Sequence, residues 1–191
     1  MPDVAMILNN LGLLYRDTQR LSEAELAFQE ALTIRRQLAQ VYMPDMATTL
    51  NNLGALYYDT QRFSEAGQAF QEALTIRRQL AQANPQAYLP HMAMTLNSLG
   101  ILRLAQEDLQ QAQMLITEAL TIRRALWKHH AGAYGDGLAQ SLAVEILILQ
   151  RKKEAVTLIC EQLHEMANVA RGENLKQWAK ERTGEVCNRG Q

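Results

Sequence analysis

The sequence predicts an all-α fold, a right-handed solenoid of antiparallel helix pairs closed by a C-terminal capping helix. The first observation behind this prediction is a repeat: the run Leu-Asn-Asn-Leu-Gly at 50–54 has a copy at 8–12 and a Leu-Asn-Ser-Leu-Gly variant at 96–100. The second is that apolar residues within each copy recur at three- and four-residue steps, the period of one helical face. The third is that no strand pattern separates the copies. A fixed period of roughly 40 residues without strands is typical of stacked helical arrays.

Each of the first three units is predicted to contain two helices. In the first unit a polar turn at 17–20 follows the first helix, and Ser22 with Glu25 has the spacing of a capping box that starts the second. Pro44 stands where one helix cannot continue and the next can begin. Four extra residues at 84–87 predict a longer loop before the third unit.

The fourth unit is degenerate. Gly132, Gly135 and Gly137 predict a loop before it, and an apolar helix follows from Ala139 to Leu149. We therefore expect an array over 1–170, with units at about 1–42, 43–88, 89–132 and 133–170. A capping helix and a frayed tail are predicted at 171–191.

Three glycines are predicted to lie in the middle of helices at the same position of each unit. Gly in a helix costs about 1 kcal/mol relative to Ala, so a close approach of another helix must compensate. The residues twelve positions later are alanines in all three units, which predicts small residues packing against each other. The pairs are Gly12 with Ala24, Gly54 with Ala66, and Gly100 with Ala112.

Composition excludes several classes of function. The net charge of −1 lacks the basic excess of a nucleic-acid binder. No apolar run is long enough to span a membrane, and the N-terminal residues lack the pattern of a signal peptide. Two cysteines, Cys160 and Cys187, do not form a disulfide framework, which favours a reducing, cytoplasmic location.

Enzyme chemistry is not predicted. The histidines and cysteines lack metal-ligand spacing, and no glycine-rich phosphate loop or nucleophile elbow is present. We therefore expect a non-catalytic protein that contains no metal and no cofactor.

The pattern Leu-x-x-Leu-Gly-x-x-Tyr, followed by Ala, Phe and Ala, resembles the tetratricopeptide (TPR) repeat. The period, the Met-Pro-Asp-x-Ala opening at 43–47, and Ala-Leu-x-Ile-Arg at 73–77 are similar to the kinesin light chain subfamily. The resemblance is strong over residues 1–128 and weak over 133–170. It departs from the pattern at Arg103, where a Tyr is expected. The resemblance implies cargo-peptide binding in a concave groove, with asparagines among the contacts.

The residues also place a row of side chains along the expected groove. A carboxamide carries two donors and an acceptor, so a ladder of asparagines suits the backbone of an extended peptide of any sequence. The alternative is that these asparagines fix the spacing of adjacent helices or face water. The predicted peptide-binding residues are Asn9, Leu13, Arg16, Asn51, Ala55, Tyr58, Asn97 and Ile101.

Two further features allow other interpretations. Arginine pairs at 35–36, 77–78 and 123–124 are interpreted as cations that suit a helix C-terminus rather than as a basic ridge for an acidic partner. Ile7 and Leu14 are expected on the outer face of the first helix, where a free solenoid end should be polar. They predict that this end packs against another surface, either on a second copy of the chain (self-association) or on upstream repeats outside this polypeptide. The alternatives to groove binding are therefore a self-assembly element, or a sensor or scaffold module of a bacterial regulatory system.

Overall fold

The computed structural model describes residues 2–37 and 42–153, and every regular element within these ranges is an α-helix. The helices are α1 (Pro2–Asp17), α2 (Leu21–Gln37), α3 (Met43–Asp59), α4 (Phe63–Ala83), α5 (Pro85–Ala105), α6 (Leu109–His129) and α7 (Ala131–Lys152). The predicted all-α repeat fold is confirmed. The capping helix expected at 171–191 and the second helix of the fourth unit lie outside the described residues.

The chain divides into two compact units, Met1–Leu102 and Arg103–Gln191. In the first unit, α1 packs on α2, α2 on α3, and α3 on α4. In the second unit, α6 packs on α7. We call α1, α3 and α5 the A helices, and α2, α4 and α6 the B helices.

One apolar stripe on each B helix is buried throughout. Its members recur at steps of three and four residues and so share one helical face. They are Ala24, Phe28, Ala31 and Leu32 on α2, Ala66, Phe70, Ala73 and Leu74 on α4, and Ala112, Ile116, Ala119 and Leu120 on α6. The sequence predicted this stripe correctly, because burial of an amphipathic face requires only local periodicity.

Two of the three repeated glycines, Gly12 and Gly54, make room for an aromatic ring, so the predicted alanine partners are wrong for these two. A Cβ on Gly12 would lie 2.6 Å from Cε1 of Phe28, and a Cβ on Gly54 would lie 2.7 Å from Cδ1 of Phe70. Both distances are shorter than carbon atoms tolerate. Each glycine therefore lets the A helix rest on the ring of the following B helix.

The turns inside the repeats use a left-handed residue, and the predicted capping box at Ser22 is wrong. Gln19, Gln61 and Glu107 take φ values of 61°, 60° and 61° at equivalent places. Because this conformation reverses the chain within a few residues, α2 already begins at Leu21 and encloses Ser22. In the first two turns the arginine after the left-handed residue lies over a tyrosine, with Arg20 Cζ 4.3 Å from the centroid of the Tyr15 ring.

Two predicted loops are helical. The extra residues at 84–87 lengthen the helices on either side, since α4 ends at Ala83 and α5 begins at Pro85. Asn84 Oδ1 accepts a bond from the Ala87 backbone N–H at 3.2 Å, and a proline needs no donor in a first turn. Gly132, Gly135 and Gly137 all lie within α7, because isolated glycines lower helix stability without preventing a helix.

The glycine–phenylalanine contact can be tested with two helical glycines. We expect Gly54→Ala to lower the free energy of unfolding by about 1–3 kcal/mol, since overpacking against Phe70 outweighs the gain in helix propensity. Gly67, within α4, is the matched control because its Cβ would lie an unstrained 3.6 Å from Leu102 Cδ2. Gly67→Ala should stabilise the protein by up to about 1 kcal/mol. Urea denaturation measures both, and equal effects of the two variants would contradict this account.

Candidate functional site

A buried polar network joins the first repeat to the second. Arg35 on α2 is buried; it donates to Thr49 Oγ1 on α3 and, at 3.0 Å, to the backbone carbonyl of Asp45. The Thr49 hydroxyl in turn donates to Asn9 Oδ1 on α1 at 3.1 Å. One side chain of a B helix is thereby connected to two successive A helices.

The same arrangement recurs in the next repeat. Arg77 on α4 is only 2% exposed; its Nη1 donates to Thr95 Oγ1, to the His91 carbonyl at 2.9 Å and to Asn51 Oδ1 at 3.3 Å. Thr95 donates to the same Asn51 oxygen at 3.2 Å. The repeated arrangement shows that the network belongs to the repeat and is not an isolated contact.

In the second unit, the equivalent Arg123 bonds Ser141 Oγ at 2.6 Å and the Gly137 carbonyl. We call the whole set the polar ladder: Arg35, Arg77 and Arg123 with Thr49, Thr95, Ser141, Asn9 and Asn51.

The arginines of the ladder are charged groups in an apolar setting. Burial lowers the pKa of Arg77 and of Arg123 to about 10, and it also lowers the pKa of Arg35. A pKa near 10 still leaves these guanidinium groups protonated at neutral pH. Within the part of the chain that the structure describes, the hydrogen-bond acceptors of Arg77 are all neutral oxygens and its Nη2 has no partner. Its positive charge is therefore stabilised by hydrogen bonds rather than by a carboxylate.

The predicted asparagines lie at the edge of this network and are buried. Asn9 and Asn51 are 7% and 8% exposed, and Asn97 is similarly buried. The Oδ1 atoms of Asn9 and Asn51 are directed between helices, where the ladder donates to them. This is the spacing role that the sequence left as the alternative. It arises because the oxygen can satisfy buried donors that would otherwise lack a partner.

The other half of each carboxamide remains available. Among the described residues, no acceptor bonds the Nδ2 atom of Asn9 or of Asn51. Asn52, the second residue of the pair, instead donates its Nδ2 to Asn9 Oδ1 at 3.1 Å and joins the first two repeats. Contact of Asn9, Asn51 or Asn97 with a ligand stays a prediction.

The remaining predicted peptide-binding residues are half-buried beside the asparagines: Leu13, Arg16, Ala55, Tyr58 and Ile101. We call these five residues and the three asparagines the groove row. Arg16 is paired with Asp59, its Nε lying 2.7 Å from Oδ2, so its charge is already shared between two repeats. The Tyr58 ring packs on Phe63 with 5.7 Å between centroids. The row is therefore a mixed apolar and polar surface with few mobile charges.

The arginines of the ladder are the residues that sequence reasoning missed. The interpretation of the pairs as cations that suit a helix C-terminus did not predict that the first arginine of each pair is buried. The second keeps to the surface in the first pair, where Arg36 Nη2 lies 2.8 Å from Glu72 Oε1. The signal was present: Arg35 comes seven residues after Phe28 and so belongs to the buried stripe.

The described residues contain no group of three or more His, Cys, Asp or Glu side chains placed to hold a metal ion. None of their helices combines the length and the apolar character that a membrane span requires.

Comparison with known proteins establishes the family. A family model for the tetratricopeptide repeat matches residues 3–79 and 45–125, well over half of the chain. The chain belongs to the tetratricopeptide repeat (TPR) family. As a TPR array, it is a protein-interaction or scaffold module. No curated protein matches the sequence.

Solved structures agree with this assignment at the level of fold. BtubC (BKLC) from P. vanneervenii is similar with a TM-score of 0.69 and 24% identity, over 81% of this chain and 59% of that one. The TPR-like repeats of a putative kinesin light chain from Podosopora anserina have a TM-score of 0.68 and 14% identity, over 98% of this chain and 90% of theirs. The chain thus spans about three-fifths of BtubC. The resemblance to kinesin light chain-like repeats is confirmed in the fold.

The polar ladder predicts different roles for two neighbouring threonines. Thr49→Val removes a buried hydroxyl that links Arg35 to Asn9, so we expect a loss of about 1–3 kcal/mol in the free energy of unfolding. Thr48 bonds only the Pro44 carbonyl of its own helix, at 3.0 Å. Thr48→Val should change stability by no more than about 0.5 kcal/mol. Thermal and urea unfolding of the two variants distinguish the roles. An unchanged free energy of unfolding in Thr49→Val would contradict the assigned network.

Proposed function

We propose that this TPR protein is a non-catalytic interaction module that holds an extended peptide, or a helix of a partner, along the groove row. The observation that carries the proposal is that the oxygens of the Asn9 and Asn51 carboxamides are bonded between helices, whereas no acceptor among the described residues bonds their NH₂ groups. Both present unpaired N–H donors from successive A helices, at the same position of the repeat. Backbone carbonyls of an extended peptide are suitable acceptors whatever its sequence.

Rigidity supports the proposal. The oxygen of each carboxamide is already bonded, so its side chain loses little conformational freedom when a ligand binds. Leu13, Ala55 and Ile101 are half-buried beside the donors and supply apolar contact for ligand side chains. Asn97 extends the row at the third A helix.

The non-catalytic role rests on family membership, since TPR arrays act as scaffolds. A cytoplasmic location remains our expectation from the cysteine content. Neither a nucleic acid nor a membrane is expected as a partner, because the net charge is only −1.

The substitution Asn51→Asp separates binding from folding. Aspartate has the same shape and keeps an oxygen toward Arg77, so the ladder gains an ion pair and the fold should persist. The outward N–H donors are replaced by a carboxylate oxygen, which repels a ligand carbonyl. We expect peptides selected from a displayed random library on the wild-type protein to bind this variant about tenfold or more weakly, the value of a lost hydrogen bond plus an unpaired carbonyl.

The matched control is Asn10→Asp. It makes the same change of charge at an exposed position on α1, beside Asn9, and should leave affinity within about twofold. Isothermal titration with the selected peptides measures both variants, and thermal unfolding verifies the fold. If Asn51→Asp binds the selected peptides as tightly as the wild-type protein does, binding at the groove row is contradicted.

A second candidate function, self-association, is favoured by the outer face of α1. Ile7 and Leu14 are 55% and 56% exposed. Their equivalents 42 residues further on, Thr49 and Leu56, are buried where the second repeat packs on the first. This face of α1 therefore lies at the positions that the second repeat uses to pack on the first. Since Val4, Ile7 and Leu14 form one helical stripe, a second copy related by a two-fold axis is the occupant we propose.

The variant Ile7→Ser tests this second candidate. We expect the wild type to sediment as a dimer at tens of micromolar and Ile7→Ser to shift it toward monomer, since a polar hydroxyl disfavours burial. Leu26→Ser is the control, because Leu26 is 66% exposed on α2 and outside the proposed face. A wild type that stays monomeric, or an equal effect of both variants, would overturn the dimer.

A further inference from the structure

The orientation of a carboxamide decides what it recognises. Rotation by 180° about the last side-chain bond of Asn51 exchanges its oxygen and its NH₂ group. With the oxygen outward, the side chain would accept from a ligand N–H. With the NH₂ group outward, it donates to a ligand carbonyl. The groups behind the side chain select between these two states.

Behind Asn51 stand two donors. Arg77 Nη1 and Thr95 Oγ1 lie 3.3 Å and 3.2 Å from its oxygen. Thr95 Oγ1 accepts a hydrogen from Arg77, and its own hydrogen has two acceptors in reach, Asn51 Oδ1 at 3.2 Å and the His91 carbonyl at 3.4 Å, of which Asn51 is the nearer. A rotated carboxamide would turn its NH₂ group toward a guanidinium cation, and the two donors would repel each other. The oxygen-inward state is therefore strongly preferred.

We propose that Arg77 is a positioning residue that holds the Asn51 carboxamide with its NH₂ group outward, so that this position of the groove recognises carbonyl oxygens and rejects N–H groups. The ligand part of this inference rests on the proposed function. The orientation itself is a property of the free protein.

The first repeat shows the same polarity through a different set of contacts. Asn9 Oδ1 accepts from Thr49, which receives a hydrogen from Arg35, and from Asn52 Nδ2 at 3.1 Å. Two donors again point at one oxygen. In the first two repeats, the bonded oxygen thus leaves the NH₂ group, a donor, as the free end of the carboxamide. A chain of hydrogen bonds that begins at a buried cation also polarises the outward N–H groups and strengthens their bonds to an acceptor.

The ligand class follows from this polarity. A matching ligand is an extended segment that turns backbone carbonyls toward α1 and α3. Its own N–H groups must be bonded elsewhere or face water, because the two asparagines offer them no free oxygen.

Arg77 also bonds the His91 carbonyl and thereby connects α4 to α5. A loss of stability in an Arg77 variant would therefore not distinguish positioning from packing. The readout must be the orientation of Asn51, and the substitutions must change the donors while keeping the volume. Arg77→Met removes the charge, Thr95→Val removes only the hydroxyl, and Arg77→Lys keeps a cationic donor.

The experiment is ¹H–¹⁵N correlation spectroscopy of the ligand-free protein. The Asn51 side-chain NH₂ pair is identified as the pair missing from the spectrum of Asn51→Asp. We expect one sharp pair in the wild type and in Arg77→Lys. In Arg77→Met and in Thr95→Val we expect a second pair or exchange broadening. A single unshifted pair in both of these variants would overturn the positioning role. If Arg77→Met does not fold, Thr95→Val decides.

A binding arm uses the peptide selected on the wild-type protein. If Arg77→Met divides the carboxamide equally between two orientations, the affinity falls about twofold, in proportion to the competent fraction, and Arg77→Lys restores it. An unchanged affinity, with two NH₂ pairs present, would overturn carbonyl recognition at this position. Failure to select any peptide would refute the proposed function, whereas the ligand-free spectra would still decide the role of Arg77.

Discussion

The hydrogen bond from a buried arginine of one B helix to the A helix of the following repeat is the interaction on which this TPR array depends. Helix pairs of this kind cannot bury their apolar faces alone and must stack. Arg35, Arg77 and Arg123 each reach the following helix, α3, α5 and α7 respectively, from inside the apolar stripe. An apolar side chain of equal volume would often be as stabilising as a buried charge. The guanidinium instead adds directionality, because its donors are satisfied only when a hydroxyl and a carbonyl of the next helix stand opposite it.

The contacts inside each repeat obey a different constraint, that of volume. Gly12 and Gly54 lie against the faces of Phe28 and Phe70 so closely that no side chain fits between them. A large ring and a missing Cβ are complementary, and together they set the distance between the A and B helices. Apolar packing thus determines the geometry of a repeat, whereas the polar ladder determines how one repeat is aligned with the next.

In the proposed function, alignment and recognition use the two ends of the same carboxamide. The oxygen of Asn51 satisfies Arg77 and Thr95, and this bond leaves the nitrogen of the same carboxamide on the groove row. In this proposal, the oxygen of the asparagine has a structural role between the helices, and its NH₂ group is suited to a ligand. Under the proposed function, a groove row with few charges would offer ordered polar contacts to a peptide in this way. The outer face of α1, by contrast, is an exposed apolar stripe. Its residues occupy the positions that the second repeat buries against the first.

The sequence by itself determined the repeat, the helical class and the buried stripe, because these depend on local periodicity that a single helix already shows. It also placed the groove row on the A helices, where Leu13, Ala55 and Ile101 are half-buried. Only the tertiary structure decided the partner of each glycine, the burial of Arg77 and the direction of the Asn51 carboxamide. The physical reason is that these features depend on side chains from two or three helices meeting at one point. An arginine at a position of the apolar stripe does not by itself indicate whether the side chain is buried or exposed. That is decided only when the tertiary structure places the hydroxyl and carbonyl that stabilise its charge opposite it.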